Sequence, residues 1–180
     1  MLAAVAMVLV TAALASAALA SGRGVRAHAS RACARADRTH LAVGRFLTVL
    51  RCLHNRERSA HGLRRLRRNG KLARAARGHA ADMARAHYFG HTSPNGASPL
   101  TRALSAGYRG RRVSVGENIV YVASTRGVTP REVMRLWMGS PPHRRNILTR
   151  RWRHLGIGAV RRSPSGQRGI TVVAEFGVRR

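Results

Sequence analysis

Cys33 and Cys52 are the only cysteines in the sequence, and they set the first limit on its chemistry. Their spacing fits neither a redox C-x-x-C pair nor a zinc ligand set. An even count behind an apolar leader instead predicts one disulfide, with two unrelated buried thiols as the alternative. Closing a loop of about 20 residues would stabilise the fold by roughly 3 kcal/mol in the chain-entropy picture. It would tie the segment around Ala34 to Leu41 onto the helix that carries Cys52. No H-E-x-x-H metal motif and no nucleophile elbow occurs. Nine histidines and six carboxylates are scattered along the chain, and their spacing alone assigns no catalytic group.

The charge is one-sided: 34 basic against 6 acidic residues, a formal +28, with Lys71 the one lysine. Such a surface attracts polyanions non-specifically. Specific nucleic-acid binding normally adds stacking aromatics or a groove-reading motif. Aromatics make up 4% of the chain and no such motif is present, so nucleic acid is not expected as a specific partner. For an exported chain, anionic cell-wall polymers or lipid headgroups are the expected polyanions, and a merely solvated basic surface is the plainer alternative.

Export is read from the first 20 residues. Met1 to Ala20 is almost wholly apolar and uncharged, and Ala18-Leu19-Ala20 before Ser21 fits a signal-peptidase site. A retained membrane anchor is the alternative, since about 20 apolar residues can span a bilayer. No later segment is long and apolar enough to span. The division expected is a signal peptide at 1–20, a basic linker closed by the disulfide at 21–43, and one domain at 44–180.

Positioning elements follow from the apolar periodicity. Phe46, Val49, Leu50 and Leu53 recur at helical spacing, and Gly62 ends that helix. Asn69 is set to cap a second helix whose stripe is Leu72, Ala75, Ala76, Met83 and Ala86. Residues 90–99 are loop by composition, and Ser98-Pro99 opens a short helix that stops at Gly107. Residues 113–122 lean towards strand. Thr129-Pro130-Arg131-Glu132 begins a helix expected to bury Val133, Leu136 and Trp137, and Pro141-Pro142 prevents it from continuing. Two strands close the chain, at 155–160 and 169–177, joined by the loop 163–166. Helices first and a terminal hairpin last give an α+β class, or a layered α/β/α sandwich.

Read in order, a set of blocks carries a resemblance. Leu53-His54-Asn55-Arg56-Glu57-Arg58 with Gly62-Leu63 is followed by Leu72 through Met83. Then come Tyr88-Phe89-Gly90-His91-Thr92-Ser93-Pro94 and Gly116-Glu117-Asn118. Trp137 through Leu148, containing Ser140-Pro141-Pro142-His143, and Leu155-Gly156-Ile157-Gly158 complete the set. Over about Arg45 to Gly177 this order resembles the CAP superfamily, the cysteine-rich secretory, antigen-five and pathogenesis-related group of SCP-like extracellular domains, in its secreted bacterial form.

The resemblance implies a three-layer α/β/α sandwich with a cleft lined by two histidines and two acidic residues. His91 fits the first histidine, Glu117 the glutamate of G-E-N, and His143 the second histidine. Ser140 stands where the second glutamate is expected, so the acidic pair is incomplete. Asn118 is expected beside Glu117 in the cleft, bonding backbone across it, and Asn146 is expected to hold the loop after His143. Two imidazoles and a carboxylate suit a divalent metal such as Zn²⁺, which makes His91, His143 and Glu117 the candidate ligands, with water in an open position. His54, His61, His79 and His87 have no assigned partner; His79, near Met83, is read as packing, and Trp137 as core.

Three functional classes follow. The first is an extracellular binding module whose cleft takes a metal, lipid or peptide. The second is a peptidase-like hydrolase with Glu117 as candidate base and a histidine or metal polarising the substrate. In the third, arginine charge rather than the cleft carries a cell-wall interaction.

Overall fold

The computed structural model describes residues 33–180; the expected leader and the linker up to residue 32 lie outside the described residues. The first helix described in full, α1 (Val43–Ala60), buries Phe46, Val49, Leu50 and Leu53 as its spacing predicts. It closes at Gly62, whose φ of +65° lets Leu63 N–H reach back to the Arg58 carbonyl at 2.9 Å. A two-residue strand, β1 (Arg67–Arg68), leads into α2 (Gly70–Arg85), where the Asn69 side chain accepts from the N–H groups of Lys71 and Leu72. Next come α3 (Pro99–Ser105), capped by Ser98, and β2 (Val113–Ala123). Thr129 caps α4 (Pro130–Gly139), and the proline pair starts α5 (Pro141–Ile147). The chain ends on the hairpin β3 (His154–Val160) and β4 (Gly169–Arg179).

The sheet order is β1-β3-β4-β2, with β4 antiparallel to both neighbours and β1 parallel to β3. Alternation along β4 separates two cores. Ile170, Val172, Ala174 and Phe176 pack with residues of α1, α4 and α5 on one face. Val173 packs with Ala76, Ala80 and Met83 of α2 on the other, and α3 joins that layer through Ala103. This is the expected α/β/α sandwich, with a mixed sheet between two helical layers. Two glycines fix its thickness. A Cβ at Gly156 would lie 2.1 Å from Ala73 N, and one at Gly158 would lie 2.1 Å from Arg77 N. The backbone of α2 therefore rides directly on β3.

Cys33 and Cys52 form the expected disulfide, with Cα atoms 5.6 Å apart. Cys33, Ala36 and Leu41 are buried in the larger core, and Asp37 pairs with Arg131 at the start of α4. Two apolar expectations are corrected. Leu136 is 44% exposed, because α4 turns Val133, Met134 and Trp137 inwards and leaves Leu136 on the outer side. Ala86 lies at the C-cap of α2 and is exposed; Ala84 takes the buried position instead. Strand β1 has no sequence signal, because two arginines carry no apolar alternation.

Candidate functional site

Strand β2 is an edge of the sheet, and Glu117 points from it towards the α2 layer, on the same face as Ile119. Its carboxylate is almost fully buried and both oxygens are engaged. Oε1 accepts from His91 Nδ1 at 2.7 Å, and Oε2 accepts from an Arg102 terminal nitrogen at 2.8 Å. His79 Nε2 approaches Oε2 at 3.7 Å. Burial pushes the Glu117 carboxyl up, but the His91 bond, His79 and Arg102 together hold it below the usual carboxylate range.

Each partner is itself held. Arg102, on α3, also donates to Ser93 Oγ and to the carbonyls of Ala97 and His91, fastening the loop that carries His91. His79 lies in α2 with Nε2 3.0 Å from the Gly90 carbonyl, and burial holds its pKa below the ordinary imidazole value. Because a carbonyl only accepts, His79 carries its proton on Nε2. Tyr88 O–H lies 2.7 Å from Asp82 Oδ2, 3.2 Å from Ser93 Oγ and 3.3 Å from His79 Nδ1, tying α2 to the same loop. His91 is half-exposed; Glu117 fixes its Nδ1–H and leaves Nε2 free of that bond.

On the other face of β2, the Asn118 amide donates to the His143 carbonyl at 3.1 Å and accepts from Asn146 Nδ2 at 3.0 Å. Trp152 Nε1 donates to Asn146 Oδ1; the segment after His143 is helix rather than the expected loop, and Asn146 in its last turn ties α5 to β2. Gly116 makes this possible: a Cβ there would stand 2.6 Å from Asn146 Oδ1. Burial, and then the nearby His91, keep the His143 pKa below the ordinary value. His91 and His143 thus lie on opposite layers about the β2 edge, near enough for electrostatic influence. Ser140 forms the junction of α4 and α5, its N–H donating to the Trp137 carbonyl and its own carbonyl accepting from Arg144 N–H.

Sequence reasoning missed three members. Arg102 occurs in a chain crowded with arginine, and only its place on α3 distinguishes it. His79, expected only to pack, is buried and also faces Glu117. Glu175 stands directly across the ladder from Glu117 and is fully buried. Both Glu175 oxygens lack a partner of ordinary hydrogen-bond geometry among the described residues. Burial first, then the Glu117 charge, raise its pKa well above the carboxylate range. The alternation of β4 sets residue 175 on the face opposite to Ala174 and Phe176, and only the β2–β4 register then puts it against Glu117.

Of the expected His91–Glu117–His143 set, Glu117 is engaged by protein partners in this structure. Both Glu117 oxygens are taken, one of them by a permanent cation. Among the described residues no group of three or more His, Cys, Asp or Glu side chains is arranged to hold a metal.

The family model of the CAP cysteine-rich secretory proteins matches residues 52–176, and the chain belongs to that family. Over 108 residues it is 38% identical to the protein YkwD of Bacillus subtilis, covering 60% of this chain and 40% of that one. Over 110 residues it is 34% identical to the membrane protein YlbC of the same organism, covering 61% of this chain and 30% of that one. The chain therefore spans less than half the length of either relative. Its fold matches an extracellular SCP-domain protein of Bacillus anthracis at a TM-score of 0.61 and 24% identity, covering 78% of this chain and 44% of that one. It also matches an outer surface protein of Borrelia burgdorferi at a TM-score of 0.62 and 18% identity, covering 79% of this chain and 99% of that one. Members of this family are typically secreted or surface-associated, and the Cys33–Cys52 disulfide agrees with an oxidising compartment. This is an extracellular CAP domain with a buried His/Glu cluster. No helix among the described residues is long and apolar enough to cross a membrane.

Proposed function

We propose that the β2 edge is a metal-free binding site for an extracellular ligand. The observation that carries this reading is the saturation of Glu117. A carboxylate held by His91 and Arg102 is a poor free base and a poor metal ligand, but a firm anchor for an imidazole. With Nδ1–H fixed on Glu117, the second ring nitrogen of His91, Nε2, is left to meet a ligand. The exposed rings of Phe89 and Tyr121, edge-to-face at 5.0 Å, supply an apolar platform from the same loop and strand. A ligand with a polar head and an apolar body suits this arrangement, which favours a lipid or an amphipathic peptide over a bare anionic wall polymer.

A hydrolytic reading has one observation in its favour. A buried carboxylate that orients a histidine is how many hydrolases prepare a general base, so the base would be His91 rather than Glu117. Retention of the mature protein on lipid vesicles and on purified wall material, in 0.5 M salt (roughly a 4 Å screening length), tests the binding reading. Wild type is expected to be retained, and the His91→Ala/His143→Ala double variant to be released. Equal retention of both refutes it. Turnover of a peptide or ester substrate that vanishes in His91→Ala establishes the hydrolase instead. Calorimetric zinc titration of the metal-stripped protein checks the metal: one-to-one binding lost in both His91→Ala and His143→Ala overturns the metal-free assignment.

A further inference from the structure

A second concave surface lies at the opposite edge of the sheet. It is a groove of about 390 Å³ between α1 and α2, floored by Leu155, Ile157 and Gly158 of β3. Each helix turns one stripe to it: Gly44, Leu47 and Arg51 from α1, and Gly70, Ala73 and Arg77 from α2. Gly44 and Gly70 leave it wide, since a Cβ at either position would meet nothing within 4 Å. Arg68 and Arg74 complete a wall of four arginines, and no acidic residue among those described lines it. The half-buried Arg51 has its pKa lowered by burial, then by Arg68 and Arg65, so its charge lies uncompensated beside its own kind.

The floor is also an unfinished sheet edge. Strand β1 covers β3 only at His154 and Leu155. Arg67 N–H donates to the Arg153 carbonyl and Asn69 N–H to the Leu155 carbonyl, so the carbonyls of these odd-numbered residues face this side, while the N–H of Arg153, just before the strand, donates to Gly177 of β4. By the same alternation, Ile157, which lines the groove, directs its backbone groups towards it, where the sheet has no further strand among the described residues.

From these two independent features we propose that the groove binds an extended acidic peptide, which adds a strand to β3 beyond β1. Its backbone would pair with β3 at Ile157, its apolar side chains would lie on Leu47 and Leu155, and its carboxylates would meet Arg51, Arg68, Arg74 and Arg77. This sequence holds no segment of that kind. Residues 1–32 contain no Asp or Glu. Of the six carboxylates, Glu117 and Glu175 are buried, Asp37 is paired with Arg131, and Asp82 with Arg85. A second copy of this sequence is equally poor in acid, so the occupant is an acidic segment from outside it.

The test is fluorescence anisotropy of the mature protein with a labelled peptide alternating Glu with Val. It is run beside an analogue N-methylated along one backbone edge and a polyphosphate of equal charge. Saturable binding is expected, weakened about tenfold by Arg68→Ser/Arg77→Ser and at least as much by N-methylation and by Gly70→Leu. The three substitutions lie at exposed positions, and matching circular dichroism and unfolding midpoints establish that the variants fold. Three results overturn the proposal: an absence of binding, equal binding by the N-methylated analogue or polyphosphate, or unchanged binding in Gly70→Leu. The second would mean that the arginines attract charge without adding a strand.

Discussion

Glu175→Gln is expected to stabilise this protein at neutral pH, although it removes a charge-capable group from the centre of the fold. Glu175 is fully buried opposite Glu117, and burial followed by the Glu117 charge raises its pKa well above the ordinary 4.5. In the unfolded chain the same carboxyl ionises freely. A group whose folded pKa is raised contributes stability that is fully present below the unfolded value and is lost as pH rises towards the folded one. Keeping the proton at pH 7, about 2.5 units above that reference, costs up to about 2.5 times 1.36, or roughly 3 kcal/mol. Glutamine has the shape of the protonated acid and nothing to ionise. Urea denaturation followed by the emission of Trp137 and Trp152 reads the difference. With a slope of about 1.5 kcal/mol per molar urea, the midpoint of Glu175→Gln should rise by up to about 2 M at pH 7. At pH 4 the two proteins should unfold together. Equal midpoints at pH 7 refute the protonated-glutamate argument. A gain of the same size at both pH values assigns the effect to packing instead.

Arg102→Met leaves Glu117 buried with one cation fewer. It should destabilise the protein by about 3–5 kcal/mol at pH 7. Because the Glu117 pKa is depressed in the folded state, its contribution is present above 4.5 and lost as pH falls through the folded value. The penalty should therefore shrink in acid, and a penalty independent of pH would contradict the assigned ion pair. His54 gives the molecule a separate acid-sensitive limb. It is fully buried between Trp137 and Phe176, and burial lowers its pKa from 6.5 to about 4. The linked stability is intact above 6.5 and falls by roughly 3 kcal/mol as pH drops to about 4. His54→Phe should flatten that limb in unfolding curves collected from pH 4 to 7, and an unchanged slope would remove His54 from the account.

The order of the elements was legible in the sequence because each was punctuated by local chemistry. Asn69, Ser98 and Thr129 cap the helices they precede, and the strand expected at 169–177 is β4 (Gly169–Arg179). Glu117 and His91 became legible only through the family resemblance, since 26 residues separate them. Arg102 was hidden by composition: among 34 basic residues, one that reaches a buried carboxylate has no local signature. Glu175 was hidden differently. Its neighbours Val173 and Phe176 marked the strand as buried, but pairing it with Glu117 requires the β2–β4 register, which no local pattern supplies. Leu136 misled because helical spacing gives a stripe and its neighbours decide how wide that stripe is.

The glycines at 156 and 158 have a consequence for the site that neither of them touches. Helix α2 carries His79 and Asp82, and it rests on β3 with no side chain between them. A helix seated backbone to backbone has no rotamers with which to absorb a change. The depth at which His79 meets Glu117 is set, like the gap of a vice, by the absence of two methyl groups on a strand that does not carry Glu117. One methyl at either position would lever α2 outwards and open the buried cluster from behind, while leaving every residue of that cluster in place in the sequence.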